Sequence, residues 1–298
     1  MKNRVLIIGG TSFIGTNFVQ YSRIKKLFPT SSKNKKNFIK FNLLTDNINE
    51  IIKKYKISHV VFLSAFSRPQ DCEKNKKLSN NLNVIKTKKV LNYLLRKNIY
   101  FIFMSSDYIF DGVKGNYSEN SVPNPKVLYG KQKLKIELFL KSSVSKNFAI
   151  LRCPKTCGEK LNDKSIFMNF FSDCFKKKRT FYLANDQVFS ALYVKDLVKI
   201  FDILINRNIK GVFNVSGNQS LSRFNYIKKI VKKFDLKTIK VVSRSLSELS
   251  DVKNVPLNVS LNNRKIKKKL NFKFTNFNQY LEIIKKKYEK KIRQIQKS

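Results

Sequence analysis

The sequence predicts an α/β fold in which a doubly wound parallel sheet is followed by a smaller C-terminal lobe. Short apolar runs alternate with amphipathic stretches through the first half of the 298 residues, and a glycine-rich turn follows the first run. This alternation loosens after about Ser165. Apolar strands separated by helices are typical of parallel sheets that are covered on both faces. At 42% hydrophobic residues, the chain can bury a core of this size.

Each predicted strand is a short apolar run between turn residues. The first, residues 5–8 (VLII), ends at two glycines. Residues 59–63 (HVVFL) form a later run, so His59 is expected to pack within a strand. By this criterion, strands are expected at residues 5–8, 38–43, 59–63, 100–104, 149–152 and 211–215.

Helices are expected where apolar residues recur about every 3.6 positions. These stretches are residues 13–21, 48–55, 82–95, 129–140, 166–175, 194–205 and 224–234. Residues 280–295 also keep a nearly helical apolar spacing, with lysines on the opposite face. We expect this last helix to dock on the parent domain, with a membrane-surface helix as the alternative.

The chain is strongly basic, with 62 Lys and Arg against 19 Asp and Glu and a formal net charge of +43. Such a charge suggests nucleic acid or an anionic membrane surface as a partner. The lysines are spread from end to end, however, and Ala, Gly and Trp are scarce, as in proteins of AT-rich genomes. We therefore interpret the charge as solvated surface and expect no specific nucleic-acid partner.

Several chemistries are excluded by composition. A single histidine excludes a multi-histidine metal site, so no metal is expected. The four cysteines, at positions 72, 153, 157 and 174, lack C-x-x-C spacing and are expected to be reduced thiols. The sequence offers no signal-peptide core and no run of about 18 apolar residues. We therefore expect a soluble cytoplasmic protein without a membrane span.

The glycine-rich turn lies in the context that a dinucleotide-binding fingerprint requires, between a strand and a helix. It runs from Gly9 to Gly15 (GGTSFIG). Glycine permits the tight turn, and backbone N–H groups at the start of the helix can meet a pyrophosphate. The middle glycine of G-x-x-G-x-x-G is replaced by Ser12, whose small side chain and hydroxyl should be tolerated there.

The cofactor preference is predicted from the region that follows this helix. Enzymes that use NAD usually place an acid after the second strand to bind the adenosine ribose. Residues 16–45 contain no Asp or Glu but seven Lys and Arg. This basic region favours the extra phosphate of NADP, with NAD as the alternative.

A third motif combines polar residues at the end of a predicted strand with a tyrosine and a lysine at the start of a later helix. Residues 105–108 (SSDY) follow an apolar run, and Tyr129 and Lys133 lie four apart at the start of a helix. Both therefore project from one helical face. Tyrosine is a poor acid or base near neutral pH, so we expect the Lys133 ammonium to lower the pKa of Tyr129. The Ser106 hydroxyl could polarise a carbonyl beside the tyrosine.

With these motifs in this order, the sequence resembles the extended short-chain dehydrogenases/reductases, and within them the dTDP-4-dehydrorhamnose reductase-like branch. Residues 105–112 (SSDYIFDG) resemble the branch signature S-[ST]-D-Y-V-F-D-G. The resemblance extends over nearly the whole chain through Asp71-Cys72-Glu73, Asn83-Val84, Tyr117, Glu119, Pro123, Pro125, Tyr129-Gly130, Lys133, Glu137, Arg152, Gly158 and Val194-x-Asp196-Leu197.

The resemblance implies a role for each matching residue. Ser106, Tyr129 and Lys133 would form the catalytic set. The cofactor would contact Gly9, Thr11, Ser12, Phe13, Ile14, Gly15, Asn42, Leu43, Ser64, Ala65 and Phe66, besides Tyr129 and Lys133. The substrate would contact Asp107, Tyr108 and Arg152. It also implies a Rossmann domain over residues 1–165 and a mainly substrate-binding lobe over 166–298, with residues 188–215 packing back on the first domain.

Two departures from the family pattern bear on the substrate. Rhamnose reductases usually follow Asp-Gln with G-x-P-T, whereas residues 186–192 read DQVFSAL. Related 4,6-dehydratases carry Asp-Glu after the catalytic hydroxyl residue, but here Asp107 is followed by Tyr108, which argues against dehydration.

The expected function is therefore NAD(P)H-dependent reduction of a nucleotide-activated 4-keto-6-deoxy sugar for polysaccharide precursor synthesis. A nucleotide-sugar epimerase and a non-catalytic, cofactor-binding regulatory subunit are the alternatives. A homodimer is possible, because dimers are common in folds of this kind.

Overall fold

The computed structural model describes residues 3–163, 165–249 and 254–297. Within them, seven strands form one parallel sheet: β1 (Arg4–Ile8), β2 (Lys26–Ser31), β3 (Ile39–Lys40), β4 (His59–Phe62), β5 (Tyr100–Ser106), β6 (Phe148–Cys153) and β11 (Gly211–Asn214). Their order in space is β3-β2-β1-β4-β5-β6-β11. The strand order reverses between β1 and β4, as in the doubly wound Rossmann fold. The predicted fold class is thus confirmed.

Helices cover both faces of this sheet. In chain order the helices are α1 (Phe13–Tyr21), α2 (Ile48–Lys54), α3 (Pro69–Lys74), α4 (Lys76–Asn80), a π-helix (Asn81–Lys86), α5 (Thr87–Arg96), α6 (Leu128–Ser142), α7 (Ile166–Phe175), α8 (Val194–Arg207), α9 (Arg223–Lys233), α10 (Leu246–Leu249), α11 (Arg264–Leu270) and α12 (Phe277–Lys297). Val5 and Ile7 of β1 pack with α1, α8 and α11, whereas Leu6 and Ile8 pack with α2, α5 and α6. This alternation follows from the two-residue period of a strand.

The second strand of the sheet was predicted at the wrong place. It is β2, whereas the predicted strand at residues 38–43 contains only the two residues of β3. The strand β2 cannot be recognised as an apolar run in the sequence, because Pro29 lies in its middle and Lys26 at its start. The proline is tolerated because β2 pairs with β3 only through Thr30 and Ser31, beyond Pro29.

The second half of the chain builds a lobe around its own apolar core. Three two-stranded sheets contribute: β7 (Thr156–Cys157) with β10 (Leu192–Tyr193), β8 (Thr180–Ala184) with β13 (Lys240–Arg244), and β9 (Val188–Phe189) with β12 (Leu221–Ser222). Helices α7, α9 and α12 pack around them. Ile284, Ile292 and Ile295 of α12 are buried in this core, so the last helix docks as expected.

No helix in the described part of the chain has both the length and the apolarity that crossing a bilayer requires.

Candidate active site

Two cavities open at the carboxyl ends of the central strands, where ligands bind in doubly wound sheets. One, of about 340 Å³, lies over the glycine turn and is called here the turn cavity. The other, of about 420 Å³, is called the main cleft. Of the predicted site residues, the turn cavity is lined by Gly9, Thr11, Asn42, Leu43 and Ser64, and the main cleft by Ser12, Phe13, Ile14, Ala65, Ser106, Asp107, Tyr108, Tyr129 and Lys133.

The glycine turn joins the two cavities. Ser12 caps α1, because its Oγ accepts a hydrogen bond of 3.1 Å from the Gly15 N–H. The N–H groups of Phe13 and Ile14 belong to the first helical turn and have no acceptor within the helix. A side chain at Gly15 would place its Cβ 2.5 Å from the Gly9 carbonyl oxygen, so the helix approaches the turn closely only because that residue is glycine.

Ser106 ends β5 inside the main cleft. Its Oγ donates to Asp107 Oδ1 at 2.9 Å and accepts from the Tyr108 N–H at 3.2 Å. Asp107 Oδ2 is buried without a hydrogen-bond partner. Burial raises the pKa of Asp107 to about 6, against the opposing effects of Lys155 and the Ser106 hydrogen bond. The cleft therefore contains a carboxyl group that titrates near neutral pH.

Helix α6 brings Tyr129 and Lys133 to the same place. Its third residue, Gly130, lies so close to the Tyr108 carbonyl that an added Cβ would come within 2.9 Å of the carbonyl carbon. Lys133 Nζ donates to the Met104 carbonyl oxygen at 2.7 Å and lies 5.8 Å from the centre of the Tyr129 ring. Burial lowers the pKa of Lys133 to about 8.

The pKa of Tyr129 moves in the direction opposite to the one expected from its spacing to Lys133. Burial raises it well above the ordinary range, the Asp107 carboxylate raises it further, and the neighbouring Ser106 hydroxyl opposes both. The expectation of a lowered pKa was wrong because it counted one neighbouring charge and ignored desolvation. Tyr129 is therefore a phenol that holds its proton at neutral pH.

Three predicted residues do not line either cavity. Gly15 packs against the turn, and Phe66 is held through its backbone by Asn83. Arg152 is fully buried and forms an ion pair of 2.8 Å with the equally buried Glu137. Arg152 also donates to the Glu119 carbonyl oxygen. Its guanidinium is thus satisfied inside the protein, which corrects the expectation that it contacts substrate.

A buried polar network behind the cleft was not predicted. Asn83 Nδ2 donates to Gln132 Oε1 at 2.7 Å, and Gln132 Nε2 donates to Ser79 Oγ at 3.0 Å. Asn83 Oδ1 also accepts from the Phe66 N–H at 2.8 Å. The network ties the π-helix to α6 beside Lys133 and fixes the loop after β4. Only the position of Asn83 was indicated by a motif.

Among the residues that the structure describes, no group of three or more His, Cys, Asp or Glu side chains is arranged to hold a metal ion.

The strand order, the glycine turn and the clustering of a serine, a tyrosine and a lysine in one cleft define an extended short-chain dehydrogenase/reductase. Within that class the chain belongs to the family described as the RmlD substrate binding domain, whose model matches residues 2–290. The resemblance to the dTDP-4-dehydrorhamnose reductase-like branch is thereby confirmed.

Solved structures share the fold of this chain, and curated proteins share part of its sequence. The dTDP-4-dehydrorhamnose reductase of Bacillus anthracis, solved in complex with NADP, matches with a TM-score of 0.82 at 23% identity over 95% of this chain and 98% of that chain. The UDP-glucose 4-epimerase of Thermotoga maritima matches with a TM-score of 0.78 at 19% identity, over 97% and 99%. Methionine adenosyltransferase 2 subunit beta of Xenopus tropicalis is 29% identical over 246 residues, which are 78% of this chain and 72% of that protein.

Proposed function

We propose that this protein reduces the keto group of a nucleotide-activated 4-keto-6-deoxy sugar with NADPH or NADH, as a step in supplying polysaccharide precursors. The observation that carries the proposal is the meeting of Ser106, Tyr129 and Lys133 in one cleft. Similarity to dTDP-4-dehydrorhamnose reductases, including one from Aggregatibacter actinomycetemcomitans that is 24% identical over 188 residues, or 61% of this chain and 63% of that protein, supports the substrate class.

The residues of the cleft suit a carbonyl reduction. A nicotinamide bound there would supply the hydride, and the carbonyl oxygen then needs a proton donor and a hydrogen bond. Tyr129 holds the proton to be donated, because burial keeps its hydroxyl protonated. The Ser106 hydroxyl and the Tyr129 phenol both line the main cleft, so both could contact one carbonyl oxygen. The Lys133 ammonium would stabilise the phenolate that remains.

The residues present fit a dinucleotide. The two cavities meet at the glycine turn, with Thr11 lining one and Ser12 the other. The N–H groups of Phe13 and Ile14 could bind a pyrophosphate between them. Among the described residues that line these cavities, Asp107 is the only carboxylic acid, so the surroundings favour an anionic ligand.

NADP is the preferred cofactor in this proposal. Ser31 ends β2, and both Ser31 and Ser32 line the turn cavity. This is where an NAD enzyme usually carries its ribose-binding acid. Two hydroxyls followed by Lys33 instead suit a phosphate on the ribose. The position of β2 in the structure, which differs from the predicted one, brings these two hydroxyls to the turn cavity.

The test is oxidation of NADPH and NADH, followed at the nicotinamide absorbance, with dTDP-4-dehydro-6-deoxy sugars generated in situ. Tyr129→Phe should lower kcat about 100- to 10,000-fold, because it removes the acid, and should leave cofactor affinity nearly unchanged. Tyr182→Phe, at an exposed position on β8, is the matched control. Undiminished turnover in Tyr129→Phe would refute the assignment.

A second candidate, a non-catalytic regulatory subunit, is favoured by one observation. Several sequence relatives, from Xenopus tropicalis to Danio rerio, are methionine adenosyltransferase 2 subunits beta. Under this proposal the protein would bind a methionine adenosyltransferase catalytic chain and alter its kinetics without turning over a keto sugar. Sedimentation of the mixed chains, with the activity of the partner measured alongside, separates the two candidates.

The third candidate, an epimerase, would return the hydride to the sugar. It should retain tightly bound cofactor through purification, whereas a reductase should exchange it. The measurement is to denature the purified protein and to assay the supernatant for released cofactor in both its oxidised and its reduced forms.

A further inference from the structure

A third cavity, of about 320 Å³, lies between α2 and α5 and is called here the helix groove. Its volume is close to that of the turn cavity and falls within the range of about 300–1,000 Å³ that is typical of small-molecule sites. Of the described residues that line it, Leu43 alone also lines the turn cavity, and none lines the main cleft. The helix groove is therefore distinct from the two cavities assigned to cofactor and substrate.

Three cations line the helix groove: Lys86, Lys89 and Arg96. Within the described ranges, none of them forms a salt bridge with a carboxylate. Of the described lining residues only Asp46 is acidic, and its own turn engages both of its oxygens. Oδ2 accepts from the Asn42 N–H at 2.8 Å, and Oδ1 accepts from the Thr45 hydroxyl at 2.7 Å. The groove therefore has an excess of positive charge that no protein group neutralises.

The shape and lining of the groove distinguish it from other lysine-rich surface of this chain. Its buried lining residues are the apolar side chains of Leu43, Ile48 and Val90. The Tyr93 hydroxyl donates to Asn49 Oδ1 and so ties α5 to α2 across the groove. A concave apolar surface with a few polar groups is the usual form of a small-molecule site. Here the polar groups at the edge are cations, so the ligand that fits is an organic anion.

The spacing of the cations along the helix indicates how the negative charge of the ligand is distributed. Lys86 and Lys89 lie three residues apart, which is nearly one helical turn. Arg96 lies seven residues after Lys89, or about 10 Å further along the axis at a rise of about 1.5 Å per residue. Arginine binds phosphate through two parallel hydrogen bonds, and lysine binds it as a point charge. We propose that the helix groove binds a small organic molecule with two phosphate groups, one at Lys86 and Lys89 and the other at Arg96.

The turn before α2 separates this site from the proposed cofactor site. Asn42 lines the turn cavity, whereas Thr45 and Asp46 line the helix groove. The Asn42 carbonyl oxygen accepts from the N–H groups of both Thr45 and Asp46, at 3.1 and 2.9 Å, so these residues form one tight turn. A ligand in the groove and a cofactor in the turn cavity would contact opposite sides of this turn. Each should therefore change the affinity of the other, and by the same factor.

The experiment is calorimetric titration of the full chain with fructose 1,6-bisphosphate at physiological ionic strength. Lys89→Gln and Arg96→Gln should each weaken binding at least about fivefold, because each removes a charge-assisted hydrogen bond to phosphate. The matched controls are the neighbouring cations: Lys88→Gln, whose side chain lies against Phe139 of α6, and Lys97→Gln, which is exposed and outside the groove. Each control should change the affinity less than about twofold. Thermal unfolding of each variant checks that it is folded.

Fructose 6-phosphate tests the requirement for two phosphates. The wild type should bind it more weakly than the bisphosphate, and Arg96→Gln should bind the two ligands with similar affinity. No binding of the bisphosphate by the wild type overturns the site. Equal losses in the groove variants and in the controls also overturn it, since they would indicate general attraction to a protein of charge +43.

The link to the turn cavity is measured by titrating NADPH with and without the bisphosphate. The bisphosphate should change the Kd for NADPH at least about threefold in the wild type and less in Arg96→Gln. An unchanged Kd would refute the link through the turn. Binding of the bisphosphate is measured without cofactor or turnover, so it is independent of the reductase assay, and Tyr129→Phe should bind it as the wild type does.

Discussion

Replacing Glu137 by Gln should be among the most destabilising conservative changes in this chain. Glu137 and Arg152 are both fully buried, and three contacts of 2.8 to 3.3 Å join them. Ser105 Oγ donates to the same carboxylate at 2.6 Å. In Glu137→Gln the guanidinium stays charged, because arginine does not lose its proton in proteins. Removing one partner of a buried pair costs about 3–5 kcal/mol, and we expect about 3 because the amide oxygen still accepts hydrogen bonds.

The assay is equilibrium unfolding in urea followed by circular dichroism, with the midpoint shift converted through the slope of the transition. The apolar double variant Glu137→Leu/Arg152→Met should be more stable than Glu137→Gln, since it leaves no unpaired buried charge. The exposed pair Arg293–Glu289 is the control, and Glu289→Gln should cost less than about 1 kcal/mol. A loss below 1 kcal/mol in Glu137→Gln, or no recovery in the double variant, would refute the reasoning.

Three further changes test the site. Gly130→Ala should push α6 away from the Tyr108 carbonyl and lower kcat by at least about tenfold, measured in the keto-sugar assay, because small misplacements are costly in catalysis. Asp107→Asn should remove one contribution to the pH dependence of stability. The folded-state pKa of Asp107, about 6, lies above the ordinary 3.8, so this carboxyl group destabilises the wild type progressively as pH rises from 3.8 through 6. The difference in urea midpoint between wild type and variant should therefore shift against the wild type across that range, and a difference that does not change with pH would contradict the raised pKa. Ser32→Asp should raise the Kd for NADPH at least tenfold relative to the Kd for NADH, because the new carboxylate would repel the ribose phosphate. An unchanged ratio of the two Kd values would contradict the proposed binding site for that phosphate.

Most of the sheet could be predicted because its strands are continuous apolar runs, as burial on both faces requires. The strand β2 could not, since Pro29 and the flanking lysines remove the signal. Its proline is compatible with the sheet only through the pairing with β3, which depends on residues nearly ten positions away. The local sequence of β2 therefore does not indicate that β3 is its partner.

The prediction of the candidate site was limited in the same way, because some of its properties depend on the folded structure. The order of the glycine turn, Ser106, Tyr129 and Lys133 was sufficient to predict a shared cleft. The electrostatics were not predictable, because the degree of burial decides the pKa of Tyr129 and burial is a property of the folded chain. Arg152 was wrongly predicted to contact substrate for a related reason. Its ion-pair partner Glu137 lies on α6, and the sequence gives no indication that this helix packs against Arg152 of β6.

The central sheet is completed by elements from the second half of the chain, and this has a consequence for biosynthesis. The strand β11 pairs with β6, and α8 covers β1 and α1 through contacts such as Phe18 with Phe201. A ribosome that has released only the first 165 residues has therefore made a sheet with an open edge at β6 and with one apolar face that, of its three helices, has only α1. Such surfaces recruit chaperones or aggregate. The sheet gains its last strand only when residue 214 has left the exit tunnel, and its apolar face gains its last helix only after Leu270, so a gene truncated at residue 165 should yield insoluble protein.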